Sequence, residues 1–83
     1  MTARVVFTSG FARKYTNGVR EFDVEATNLR GVIKAMEGYF PGIGHALEEE
    51  TNVAINGELH ETGYFQLVPP DAEVFFIPRI EGG

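Results

Sequence analysis

Leu29-Arg30-Gly31-Val32-Ile33-Lys34-Ala35-Met36-Glu37-Gly38-Tyr39-Phe40 is the stretch on which the reading of this 83-residue chain turns. Leu29, Val32, Ile33, Met36 and Phe40 fall at i, i+3, i+4, i+7 and i+11, which is the apolar stripe of a helix lying on a sheet. Thr27 or Asn28 can cap its start, and Pro41-Gly42 ends it. Gly31 and Gly38 inside it cost roughly 1 kcal/mol each relative to alanine, so the helix must be held by packing rather than by propensity.

Outward from this helix the period changes from 3.6 to 2. Toward the N-terminus, residues 3–8 alternate, with Ala3, Val5 and Phe7 on one face and Arg4, Val6 and Thr8 on the other. Residues 19–24 alternate again and set Phe22 and Val24 against Glu21 and Asp23. The intervening stretch holds the breakers Ser9, Gly10, Asn17 and Gly18, so it reads as a long loop closing an antiparallel hairpin. Toward the C-terminus, residues 43–50 suit a short second helix and residues 52–55 a strand. Asn56-Gly57 is a strong hairpin signal, because both residues tolerate positive φ. Residues 58–60 are the returning arm, residues 64–68 a turn or 3₁₀ segment, Pro69-Pro70-Asp71-Ala72 a turn, and residues 73–78 the last strand.

One main helix over a mixed sheet of four or five strands is an α+β arrangement. The length allows one domain, read as residues 1–78 with a C-terminal tail at 79–83.

Composition removes several function classes. Twelve acidic residues outnumber seven basic ones, the net charge is −5 and no basic run occurs, which argues against a phosphate backbone as partner. Without cysteine there is no disulfide, thiolate metal site or cysteine nucleophile. His45 and His60 stand in no ligand-like spacing, so no metal site is expected. Ser9 has no partner histidine and acid in a recognisable arrangement. No apolar run reaches the ~18 residues of a membrane span, and residues 1–7 have no signal-peptide pattern, so the expected compartment is the cytoplasm. A chain this short rarely encloses a deep catalytic pocket, and a partner is expected to supply demanding chemistry.

The remaining chemical feature is the end, Arg79-Ile80-Glu81-Gly82-Gly83. Glycine has no Cβ, so a diglycine terminus can thread a narrow channel and present its carboxylate there. At ~3.3 Å per residue, five residues past Pro78 reach roughly 16 Å. A carboxylate becomes a useful electrophile once adenylated, and a sulfur nucleophile can then displace AMP. On the last strand, Val74 and Phe76 share one face and Phe75 and Ile77 the other. With Val74 and Phe76 toward the helix, Phe75 and Ile77, joined by Val6 and Leu59, form an apolar patch on the open face. That patch is either a docking surface or is covered by residues 43–50 or a neighbouring loop.

Four segments in order carry a resemblance: Arg4-Val5-Val6-Phe7, Tyr39-Phe40-Pro41-Gly42, Val53-Ala54-Ile55-Asn56-Gly57-Glu58, and Glu73-Val74-Phe75-Phe76-Ile77-Pro78 running into Gly82-Gly83. In these the chain resembles the MoaD/ThiS sulfur carriers, and within them, by the extra segment 43–50, the small subunit of molybdopterin synthase.

The resemblance implies a ubiquitin-like β-grasp fold. It implies that Gly83, preceded by Gly82, is the site of adenylation and thiocarboxylate formation, and that Val6, Leu59, Phe75, Ile77, Arg79, Ile80 and Glu81 meet partners. Those partners are a ubiquitin-activating-like adenylating enzyme, which uses ATP and magnesium, and the large subunit of molybdopterin synthase or another sulfur acceptor. The chain itself binds no cofactor and acts as a protein cosubstrate, not as an enzyme on its own. Carriage of sulfur for thiamine, cysteine or tRNA thiolation is an alternative, as is a ubiquitin-like modifier joined to lysines, which the R-x-x-G-G ending fits. A plain β-grasp interaction module is the third class, in which Gly83 is dispensable.

Overall fold

In the computed structural model, residues 2–60 and 66–79 are described, and they form five strands and three helices. In chain order these are β1 (Thr2–Phe7), α1 (Ser9–Tyr15), β2 (Glu21–Glu25), α2 (Leu29–Tyr39), α3 (Ile43–Glu50), β3 (Thr51–Ile55), β4 (Glu58–His60) and β5 (Glu73–Pro78). The sheet order is β2-β1-β5-β3-β4. Only the central β1–β5 pair is parallel; the other three pairings are antiparallel. The sheet is mixed because the last strand enters between the two hairpins, beside the first strand, with the helices between them in the chain.

One face of the sheet is the core. Ala3, Val5 and Phe7 of β1, Val24 of β2, Val53 and Ile55 of β3, and Val74 and Phe76 of β5 are buried there. They form one cluster with Leu29, Val32, Ile33 and Met36 of α2 and Ile43, Ala46 and Leu47 of α3. This is the stripe expected of residues 29–40, and burial of its side chains offsets the low propensity of Gly31 and Gly38. Asn28 is the cap: its side-chain oxygen accepts from the Gly31 N–H at 2.8 Å.

The loop expected at residues 9–18 contains α1, which corrects that reading. Thr8 caps it, its hydroxyl oxygen accepting from the Phe11 N–H at 3.3 Å. Phe11 and Ala12 are buried, and Phe11 stacks between Phe7 at 5.1 Å and Tyr15 at 4.6 Å. Asn17 at φ 55 then ends the helix, with the Thr16 and Gly18 N–H groups both donating to the Ala12 carbonyl. Ser9 and Gly10 sit in the first turn, where weak helix formers are tolerated, so they did not mark a loop. Val19, expected in the second strand, belongs to the turn: its carbonyl accepts from the Thr16 hydroxyl at 2.6 Å, and β2 starts at Glu21.

Two junctions need a positive φ. Asn56 and Gly57, at φ 50 and 83, make the tight turn between β3 and β4 as their sequence predicts. Gly42, at φ 98, turns the chain between α2 and α3. It leaves α3 without a side-chain cap of its own, and Glu37 of α2 supplies one. The Glu37 carboxylate accepts from the Gly42 N–H at 2.6 Å and from the Gly44 N–H at 2.8 Å. These two bonds, Gly42's being the larger influence, hold its pKa below the ordinary glutamate range.

Pro70-Asp71 forms the expected turn, with Asp71 at φ 59. Of residues 64–68, the last three are described; Leu67 makes an isolated bridge with Asn28, and residues 64 and 65 lie outside the described residues. No helix among the described residues is long and apolar enough to cross a membrane.

Candidate docking face and the root of the C-terminal segment

Among the described residues, the other face of the sheet has no helix on it. Because α3 contributes Ile43, Ala46 and Leu47 to the core, it lies on the helical side, and residues 43–50 do not cover the apolar patch. Strand register assembles that patch from four strands. Val6 of β1 pairs with Phe75 of β5, Phe75 with Ala54 of β3, and Ala54 with Leu59 of β4. Side chains directly opposite each other on adjacent strands lie about 4.5–5.5 Å apart at Cβ, so these four form a row across the sheet. Leu59 is 64% exposed, and Val6 and Phe75 are half-buried. Ile77 stands one step further along β5, beside Asn52 of β3, and is 37% exposed.

Polar side chains border the row. Beyond Val6 lies Glu21 of the edge strand β2, and in the next register Arg4 stands between Asp23 and Glu73. The Arg4 guanidinium is 3.8 Å from Glu21 and 3.9 Å from Asp23. All three side chains are well exposed, so these pairs are worth little in stability. They do give the β2 side of the face an acidic character. A half-exposed apolar row with a charged border has the anatomy of a protein interface.

At the opposite end of the face the chain leaves the sheet. Arg79 follows Ile77 by two residues, so its side chain shares the open face. Its N–H donates to the Glu50 carbonyl at 2.7 Å, which extends the β3–β5 ladder one step past the Thr51–Pro78 pair. Its guanidinium donates from Nε to the Asn52 side-chain oxygen at 3.2 Å and from an Nη to the Glu48 carbonyl at 3.3 Å. Glu50 is itself held from α1: the Tyr15 hydroxyl lies 2.8 and 3.0 Å from its two carboxylate oxygens, and the Lys14 ammonium 4.0 Å from one of them.

Of the residues the sequence nominated for partner contact, Val6, Leu59, Phe75, Ile77 and Arg79 therefore share one face. Ile80, Glu81, Gly82 and Gly83 lie outside the described residues. The sequence reading missed Ala54 and Asn52, although both sit at alternate positions of β3 from the buried Thr51, Val53 and Ile55. It also missed Tyr15 and Glu50, which nothing in a linear pattern connects. His45 is exposed; His60 is half-buried, with Nε2 3.9 Å from Glu58. No group of acidic residues and histidines fit to hold a metal occurs among the described residues.

No protein-family model matches the chain, and no curated protein sequence does. Solved structures do. Several small proteins of known structure superpose on this chain over nearly its whole length. The fold is a ubiquitin-like β-grasp. Similar structures include a chain of the Amycolatopsis orientalis BexX/CysO complex, 22% identical with a TM-score of 0.80, the match covering 98% of this chain and 99% of that one. CysO of Mycobacterium tuberculosis is 19% identical with a TM-score of 0.78 over 94% of this chain and 99% of that one. The small archaeal modifier protein 1 of Methanosarcina acetivorans is 18% identical with a TM-score of 0.78 over 99% of this chain and 96% of that one. At these identities the likeness is one of fold, and it extends over nearly the whole of each chain.

Proposed function

We propose that the chain is a sulfur carrier of the MoaD/ThiS kind, a protein cosubstrate whose Gly83 carboxylate is activated by an adenylating partner and loaded with sulfur. The observation that carries this reading is the open face itself. Val6, Phe75, Ala54 and Leu59 offer an apolar row on the same side from which Arg79 leads to the diglycine end. Docking of that row holds the body while the C-terminal segment reaches the partner's nucleotide site.

The chemistry divides between the two proteins. The Gly83 carboxylate oxygen attacks the α-phosphorus of ATP and expels pyrophosphate, giving an acyl adenylate. Hydrosulfide then adds to the acyl carbon, the C–O bond to AMP breaks, and loss of the sulfhydryl proton leaves a thiocarboxylate. ATP, magnesium and the sulfur source belong to the partner; the chain supplies the acyl group and the docking surface. A loaded terminus next enters an acceptor enzyme. The extra segment at residues 43–50 supports the large subunit of molybdopterin synthase as this acceptor, whereas likeness to a chain of the BexX/CysO complex and to CysO supports delivery toward cysteine.

A second reading, conjugation to lysines as a ubiquitin-like modifier, is favoured by the likeness to small archaeal modifier proteins and by the R-x-x-G-G ending. Intact mass separates the two. Incubation with adenylating enzymes of the host, ATP and sulfide is expected to add roughly 16 Da as OH becomes SH, and deletion of Gly83 to abolish the gain. Lysine-linked adducts of the chain in host extracts establish the modifier. An unchanged mass with every competent enzyme rejects the carrier.

A further inference from the structure

We infer that Arg79 is a positioning residue, which aims the C-terminal segment by clamping its root to the end of α3 and the start of β3; this rests on the carrier reading above. The last four carbonyls of a helix have no partner within it, and in α3 these belong to Leu47, Glu48, Glu49 and Glu50. The Thr51 hydroxyl takes the Leu47 carbonyl. Arg79 takes two of the other three, Glu48 through its guanidinium and Glu50 through its N–H.

An arginine suits this place for a second reason. Glu48, Glu49 and Glu50 crowd the negative end of the helix, whose last turn has no basic residue of its own. Arg79 brings the positive charge from β5. Its Nε also reaches Asn52, on the same face as Phe75 and Ile77, so one side chain ties helix, sheet and docking face together. The Tyr15 hydroxyl of α1 in turn donates to the Glu50 carboxylate, which ties the end of α3 to a second helix.

The clamp fixes the point of departure. With Arg79 tied down, four residues are left to span the distance to the partner's nucleotide site, about 13 Å of extended chain rather than the roughly 16 Å of five. A shorter leash from a fixed root confines the carboxylate to a smaller volume, and that raises its effective concentration at the site once the open face has docked. Such a role acts after docking. It predicts a fall in kcat, whereas direct contact of Arg79 with the partner predicts a rise in KM.

The test is ATP–pyrophosphate exchange with the host's adenylating enzymes, using the full chain and the Arg79→Ala, Arg79→Lys and Asn52→Ala variants. Amide hydrogen exchange at residue 79 is followed in parallel. Arg79 is exposed, so its replacement is expected to leave the fold intact, which urea unfolding of each variant checks. Arg79→Ala is expected to speed exchange at that amide and lower kcat about tenfold, with KM changed by less than roughly twofold. Asn52→Ala should give a smaller fall in kcat, the double variant should fall no further than Arg79→Ala alone, and Arg79→Lys should restore part of the loss. Full kcat with Arg79→Ala, or a loss confined to KM, overturns the positioning role and leaves the carrier reading standing. No exchange with the unmodified chain, under any of the enzymes, overturns the carrier reading and the positioning role with it.

Discussion

The two faces of this sheet are built from neighbouring residues of the same strands, yet they answer to different constraints. Phe76 is fully buried against the helices, while Phe75, one residue earlier, is half-exposed on the open side. The buried face closes on itself: Phe7 and Phe76 lie 5.8 Å apart, and the cluster around them draws on every helix. The open row of Val6, Phe75, Ala54 and Leu59 has neighbours in the sheet and none above it among the described residues. Burial of apolar area stabilises the first face within the molecule. Comparable stabilisation of the second would have to come from another protein, and on the proposed reading the first face serves folding and the second recognition.

The sharpest way to break this division is to truncate adjacent phenylalanines. Phe76→Ala should cost about 3–5 kcal/mol of unfolding free energy, because it leaves a cavity among close-packed side chains. Phe75→Ala should cost about 1 kcal/mol or less while weakening partner binding by about 2 kcal/mol, the loss typical of an interface anchor. Urea unfolding and calorimetric titration with the adenylating enzyme measure the two; equal destabilisation by both substitutions would refute the division.

Effects of intermediate size should come from the helices that shape the buried face. Thr8→Ala removes the cap of α1 and is expected to cost about 1 kcal/mol in urea. Since α1 also carries Tyr15, the same variant should loosen Glu50, seen as faster amide exchange at Arg79.

A smaller effect concerns pH. The Glu37 carboxylate caps α3, and its pKa is lower folded than unfolded. Its contribution to stability is therefore present above the ordinary glutamate pKa of about 4.3 and lost as the pH falls through the lower folded value. Chemical shifts of the Gly42 and Gly44 amides should titrate below pH 4.3 or so, and Glu37→Gln should flatten both curves. The least effect belongs to the border of the open face: Arg4→Ala should change stability by under about 0.5 kcal/mol, since both of its ion pairs are exposed.

Much of the architecture was legible in the residues. The 3.6-residue stripe from Leu29 to Phe40, the alternation in residues 73–78 and the Asn56-Gly57 turn each rest on local stereochemistry, and each stands where it was expected. The side taken by Phe75 and Ile77 was legible too, since period-two alternation assigns them to the face opposite Val74 and Phe76, whereas Ala54 in the middle of the row was missed. α1 was not, because breakers in its first turn masked a helix whose stability comes from Phe11 packing on Phe7. Nor was the cap that Glu37 lends to α3, which crosses a chain reversal at Gly42.

By itself, then, the sequence determined which segments are helix and strand in most of the chain and which apolar residues turn away from the core, because both follow from side-chain period and turn stereochemistry within a few residues. Only the tertiary structure decided that β5 enters beside β1, that α3 packs on the core side of the sheet, and that Arg79 meets Glu48, Glu50 and Asn52. Those are contacts between residues 27 to 31 positions apart or more. Their energies appear once the chain has closed, and no local preference encodes them.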